Sequence, residues 1–260
     1  GGWVMLTLAM AMAISFANHI SGWGLWWNWD PVENMVLLVW LLDSALLHAV
    51  CYSNRHRGFL SFVVILSIIL FLLCLTSSFL IHSNIVTSTH QFSLDGSATL
   101  PLLAVLATNG IMGIGLAVTR KHIFPVSDPW VYYSATHIML HGIVIFIMMA
   151  FVLVIGLLYP IWVGVIRETI SWIGPPYYNQ MFAVFMVPMV GLMVWHLIIE
   201  NMENHMFFPA VYGALVLFVF VVTGILWPSA LGWGYGFCSI MFASGFVFVL
   251  AIGRHIYQAG

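Results

Sequence analysis

Charge is what this sequence has least of. Asp, Glu, Lys and Arg together make up 5% of its 260 residues. A soluble domain carries about 25%, because its surface must face water. With so few charges no polar shell can enclose a core, so the outer solvent must be lipid. The net charge is -2 and no basic run occurs, which removes the electrostatic footprint of nucleic-acid binding. Cysteine is also scarce. Cys51, Cys74 and Cys238 stand alone with no CxxC pair, so neither a disulfide framework nor a thiolate metal site is indicated. A Ser–His–Asp arrangement, a phosphate-binding loop and a zinc motif are absent too.

What remains is apolar. Hydrophobic residues make up 63% of the chain, and the mean hydropathy is +1.07. The runs are long and continuous rather than alternating. Backbone groups in lipid must be satisfied internally, and such runs do so as helices. At roughly 17–25 residues per span the sequence predicts about eight. They fall near 2–19, 35–52, 59–81, 101–118, 138–160, 181–199, 209–227 and 234–252. The expected fold is an all-α polytopic integral membrane protein with a Trp-rich outer loop. No linker or repeat interrupts it, so residues 1–260 read as a single membrane domain.

The few cations set the orientation. Arg55, Arg57, Arg120, Lys121 and Arg254 fall on one side if the spans alternate, and Arg167 alone falls on the other. The positive-inside rule puts the five in the cytoplasm or matrix. Loops 20–34, 82–100 and 161–180 then share the outer face.

The most informative stretch is SGWGLWWNWDPVENMVLLVW, residues 21–40. Trp23, Trp26, Trp27 and Trp29 crowd into it. Tryptophan is enriched at membrane interfaces in any case. Four in one short outer loop is dense for a belt, and a flat aromatic surface suits a large planar ligand. Asp30 and Glu33 resemble a catalytic carboxylate pair, but their spacing favours a simpler role. Asp30, Pro31 and Glu33 match an N-cap, N1 and N3, a capping box that would start the second span.

The chain has 11 histidines against six Lys and Arg residues. His48 lies inside span 2, roughly 20 Å along the helix from Met35. An ionisable ring at that depth needs a partner, and is either a hydrogen-bonded packing residue or a functional one. His90 lies in the outer loop IHSNIVTSTHQFSLDG, on the same side as the tryptophans. Histidine is a common axial ligand of haem iron. His137 and His141 share a helix face, but no third ligand motif lies near them.

WGxWWxWDPVEN followed by a helix ending in ALLH resembles the WWD haem-handling proteins of cytochrome c biogenesis. The DPVEN ending resembles the CcmF group of haem lyases within them. LCLTSSFLIHSNIVTSTHQF and IGPPYYNQMFAVFMVPM resemble two further segments of that group, in the same order. The resemblance implies that Trp23, Trp26, Trp27, Trp29 and Asp30 form the haem-facing motif. It implies that His48 ligates the iron of a transmembrane haem b, and that His90 is an axial ligand of the haem being transferred. His82 stands where the group has an Arg, which would weaken a hold on haem propionates.

The implied activity is that of a cytochrome c haem lyase subunit, forming thioether bonds to the CxxCH thiols of apocytochrome c. The implied partners are the haem carrier CcmE, CcmH-type subunits, apocytochrome c, quinol and membrane lipid. The second ligand of each histidine pair belongs to segments outside residues 1–260, so other CcmF fragments are expected to supply them. Such splitting points to the mitochondrial inner membrane, with the bacterial inner membrane as the alternative. Two other functions fit the same motif: a haem transporter, or a structural membrane subunit that has lost catalysis.

Overall fold

In the computed structural model of the chain, the described residues are 1–19, 27–54, 59–83, 85, 86, 88, 99–119, 135–167 and 173–202. Their secondary structure is helical throughout: α1 (Gly2–His19), α2 (Pro31–Ser53), α3 (Leu60–His82), α4 (Thr99–Thr119), α5 (Ala135–Arg167) and α6 (Pro175–Met202). Four helical segments are long and apolar enough to cross a membrane: Pro31–Ser53, Leu60–His82, Thr99–Thr119 and Met139–Ile166. The chain is an integral membrane protein. Of the roughly eight spans expected, the last two, at 209–227 and 234–252, lie outside the described residues.

The helices start and stop for local reasons. Asp30 caps α2, and Pro31 occupies the first turn, where a missing N–H costs nothing. α6 begins on Pro175 and Pro176, six residues earlier than hydropathy alone suggests. Two prolines at a helix start are well tolerated for the same reason, although their low hydropathy hides the turn from a span count. α5 runs past its predicted end at 160 to Arg167 and carries Pro160 inside it.

The residues divide into two compact units, one of 1–12 and 28–185, the other of 13–27 and 186–260. In the first unit α2 is the central helix and packs on α5 and α3, while α3 packs on α4. Ala45 and Ala49 of α2 are fully buried, and these small side chains let a neighbouring helix come close. α5 presents Ile143, Phe146, Ala150 and Leu153, a buried stripe at spacings of three and four. α3 and α4 bury few of their side chains, as lipid-facing helices do; Ile65, Ile69, Phe71, Ile111 and Ile114 are exposed. They meet at Gly113, where an added Cβ would lie 3.0 Å from Ile68 Cγ2.

The first part of α1 reaches α2 through side chains. Trp3 Nε1 donates to Ser44 Oγ at 2.8 Å, and Trp40 Nε1 donates to Thr7 Oγ1 at 2.9 Å. The pairing 3 with 44 and 7 with 40 makes the two helices antiparallel. The Trp3 and Trp40 rings lie 5.7 Å apart. Each hydroxyl passes its own proton to an indole residue's backbone: Ser44 Oγ to the Trp40 carbonyl, Thr7 Oγ1 to the Trp3 carbonyl. Four polar groups are thereby satisfied inside an apolar layer, where leaving them unpaired would be costly.

In the second unit the described parts are the end of α1 from Ala13, Trp27, and α6 from Met186. Ala17 is buried there.

Candidate functional site

The start of α2 is built from five polar contacts. Asp30 Oδ2 accepts the Val32 N–H at 3.0 Å. Glu33 Oε2 accepts the Asp30 N–H at 3.2 Å and the Asn28 N–H at 2.9 Å. The capping box that the DPVE spacing predicts is therefore present, with both carboxylates on backbone amides. Asn34, fully buried, donates through Nδ2 to the Trp29 carbonyl at 2.9 Å. The fifth contact comes from outside the helix: Ser88 Oγ donates to Asp30 Oδ2. Asp30 thus does more than cap. It ties the segment after α3 to the end of the tryptophan stretch, two residues before His90.

Trp29 is the centre of the cluster. Its backbone is left-handed, with φ 57°, unusual for any residue but glycine and costly for a bulky one. Its indole is 6% exposed. The ring stacks on Tyr178 with centroids 5.0 Å apart and planes 9° from parallel. Phe182 covers it from another direction at 4.9 Å and 59°. Nε1 donates to Asn179 Oδ1 at 2.7 Å, and Asn179 is itself buried.

The first turns of α6 supply these partners, and α5 holds them in place. Tyr177 donates its hydroxyl to the Val152 carbonyl at 3.2 Å. Tyr178 lies over Gly156, one turn further along α5. A Cβ at Gly156 would sit 2.6 Å from Tyr178 Cε1 and 2.7 Å from Cζ. Pro160 is four residues on, so the Gly156 carbonyl has no helical N–H to accept. Glycine is required at this crossing. Gly156→Ala is expected to cost about 1–3 kcal/mol by overpacking, seen as a lower melting temperature in detergent. Gly113→Ala serves as a milder comparison.

Segments from three of the predicted outer loops therefore meet at one end of the first unit: Trp29–Asp30, Ser88 and Tyr178–Asn179. Trp23, Trp26 and His90 lie outside the described residues. Trp27 belongs to the second unit and is half-buried.

His48 lies on the same helix, about 27 Å from Asp30 at 1.5 Å per residue. Its Nδ1 is 2.8 Å from the Ser44 carbonyl. A carbonyl only accepts, so Nδ1 carries a proton, and in the neutral ring the lone pair is on Nε2. That is the arrangement of a metal-ligating histidine whose second nitrogen is held by backbone. Phe146 lies 5.4 Å from the ring, and the α5 residue beside it is Gly142, whose added Cβ would only just touch His48 Cδ2 at 4.0 Å. The half-buried ring fits a haem ligand. Among the described residues no group of three or more His, Cys, Asp or Glu side chains could hold a metal ion. Cys51 and Cys74 are free and exposed.

A family model described as cytochrome C assembly protein matches residues 1–87, which include the tryptophan stretch, Asp30 and His48. The cytochrome c-type biogenesis protein CcmF of Haemophilus influenzae is 30% identical over 220 residues, covering 85% of this chain and 34% of that protein. CcmF of Escherichia coli K12 is 31% identical over 193 residues, covering 74% of this chain and 30% of its own length. A solved structure titled cytochrome c heme lyase CcmF superposes with a TM-score of 0.58 at 23% identity, over 97% of this chain and 38% of that one. The chain belongs to the CcmF family.

It spans about a third of the length of the curated CcmF relatives it matches. The family model takes in the α2 cap and His48, and stops three residues short of His90. The IGPPYYNQ segment resembled CcmF in sequence, but no chemical role was legible there. Tyr178, Asn179 and Phe182 become site residues only through α6, and Ser88 only through its contact with Asp30. The signal available was a buried-type amide set among aromatics directly after two prolines.

Proposed function

We propose that this chain is the haem-handling part of a cytochrome c haem lyase. In this reading it holds haem on the outer side of the membrane while thioether bonds form to an apocytochrome c. One observation carries the reading: the end of the tryptophan stretch and the segment leading to His90 are tied together through Asp30 and Ser88, in a chain of the CcmF family. Placing a porphyrin requires an axial ligand and a flat aromatic surface near one another.

In this proposal the Trp23–Trp29 stretch, with Asp30 at its end, receives haem from the carrier CcmE. His90 is one axial ligand to its iron. Each cysteine thiol of a CxxCH segment then adds across a haem vinyl group. Sulfur bonds to one vinyl carbon, the proton ends on the other, and no oxidant is consumed. The protein's contribution is placement, because holding thiol and vinyl in contact raises their effective concentration greatly. His48, with Nδ1 committed to Ser44, offers Nε2 to a b-type haem. Such a haem would supply electrons from quinol that keep the substrate iron ferrous. CcmH-type subunits present the apocytochrome, and other CcmF fragments complete the ligand pairs. The setting is the mitochondrial inner membrane, with the tryptophan loop in the intermembrane space.

The test is haem transfer in the native assembly, read by covalent haem staining of the product cytochrome. Trp27→Ala and His90→Ala are each expected to lower it by about tenfold or more, since both act on placement. Unchanged transfer in both variants would remove the tryptophan platform from the mechanism. Haem bound but never attached, even in the unmutated assembly, would favour a transporter.

A further inference from the structure

Trp29 differs from an open aromatic platform in one testable respect. Its ring has no open face. Tyr178 lies parallel to one side, Phe182 closes another, and the indole N–H is spent on Asn179. Its carbonyl is held by Asn34. The backbone is left-handed, a conformation glycine would adopt without strain. A bulky residue kept there must gain more from its contacts than the backbone loses.

We infer that Trp29 is a positioning residue: Tyr178, Asn179 and Phe182 of α6 clamp its indole, and the clamp holds the α2 cap at which Asp30 meets Ser88. It does not offer its ring to haem. Its contacts run inward, to α6 and through Tyr178 to Gly156 of α5. The left-handed step at Trp29 leads directly into the cap of α2, where Asp30 accepts from Ser88. Asn179 and Tyr178 become working residues of the site without touching its ligand. This inference rests on the haem-handling reading of the stretch.

The hydrogen bond from Trp29 to Asn179 gives a clean test. Removing one partner strands the other, whereas replacing both with apolar groups of similar shape is far milder. Trp29→Phe keeps an aromatic ring and removes the donor. Asn179→Leu keeps the volume and removes the acceptor. Both single variants and the double variant are made in the native assembly, and haem transfer is measured per molecule of b-type haem retained at His48. Misfolded molecules then drop out of the ratio.

Each single change is expected to lower transfer by about tenfold. The double variant is expected to lie above the weaker single, within about threefold of the unmutated assembly. That recovery is the signature of positioning. If Trp29 met haem directly, Trp29→Phe would cost the same whatever stood at 179, and the two losses would multiply. Multiplying losses, or singles that transfer at the unmutated rate, overturn the inference while leaving the lyase reading intact. An unmutated assembly that transfers no haem overturns the lyase reading, and the inference with it.

Discussion

His48→Ala is expected to abolish the b-type haem signal of the native assembly, with membrane insertion unchanged. The reasoning starts from the ring. Nδ1 is engaged by the Ser44 carbonyl one turn back, so the free nitrogen is Nε2 and its tautomer is set before any metal arrives. Gly142 keeps the facing side of α5 low at that level. Alanine has no ligand atom, and no second histidine of α2 can take over, since His48 is the only one in Pro31–Ser53. The reduced-minus-oxidised spectrum, with pyridine haemochrome quantification, measures the outcome. α2 itself should be preserved, because alanine is the best helix former. An intact b-type signal in His48→Ala would place that haem elsewhere and separate α2 from the redox chemistry.

At Trp29 the usual ranking of substitutions is expected to invert. Trp29→Ala removes a buried indole stacked on Tyr178, a change that costs about 3–5 kcal/mol in a packed core. It also keeps a left-handed backbone that alanine tolerates poorly. Trp29→Gly loses the same contacts but relieves the backbone, worth about 1–2 kcal/mol. Glycine should therefore be the less damaging of the two, whereas within a helix it is the worse by about 1 kcal/mol. Heating in detergent, followed by size exclusion to count the surviving fraction, ranks the three proteins. If alanine survives as well as glycine, the left-handed step relaxes when the ring is gone, and the clamp rather than the local turn holds it.

Much of the architecture could be read from the chain because lipid makes strong demands. Continuous apolar runs located α1 to α6, and the Asp30–Pro31–Glu33 spacing located the start of α2 to the residue. The boundaries that shifted are those set by proline. Pro175 and Pro176 begin α6, and Pro160 sits inside α5, while hydropathy responds to neither role. The site was legible only where its parts are local. The cap uses residues within one turn of each other, so spacing exposes it. The Trp29–Asn179 bond joins residues 150 positions apart, and Ser88 reaches Asp30 across 58. No periodicity encodes such pairs. Reading four tryptophans as one surface also says nothing of any single backbone angle or burial, and at Trp29 the backbone is left-handed and the residue buried.

The indole-to-hydroxyl pairs between α1 and α2 bear on how the protein is put together. Helices that adhere in lipid commonly do so through small residues that bring backbones into contact. Here Trp3 and Trp40 act as spacers, and the attachment comes from two reciprocal donations to Ser44 and Thr7. Bonds of this kind in bilayers contribute about 0.6 kcal/mol each on average. The first helix is moored to its neighbour rather than welded to it. A peptide containing α1, synthesised separately and inserted in the same membrane, has only to present Trp3 and Thr7 at the right height to find its berth.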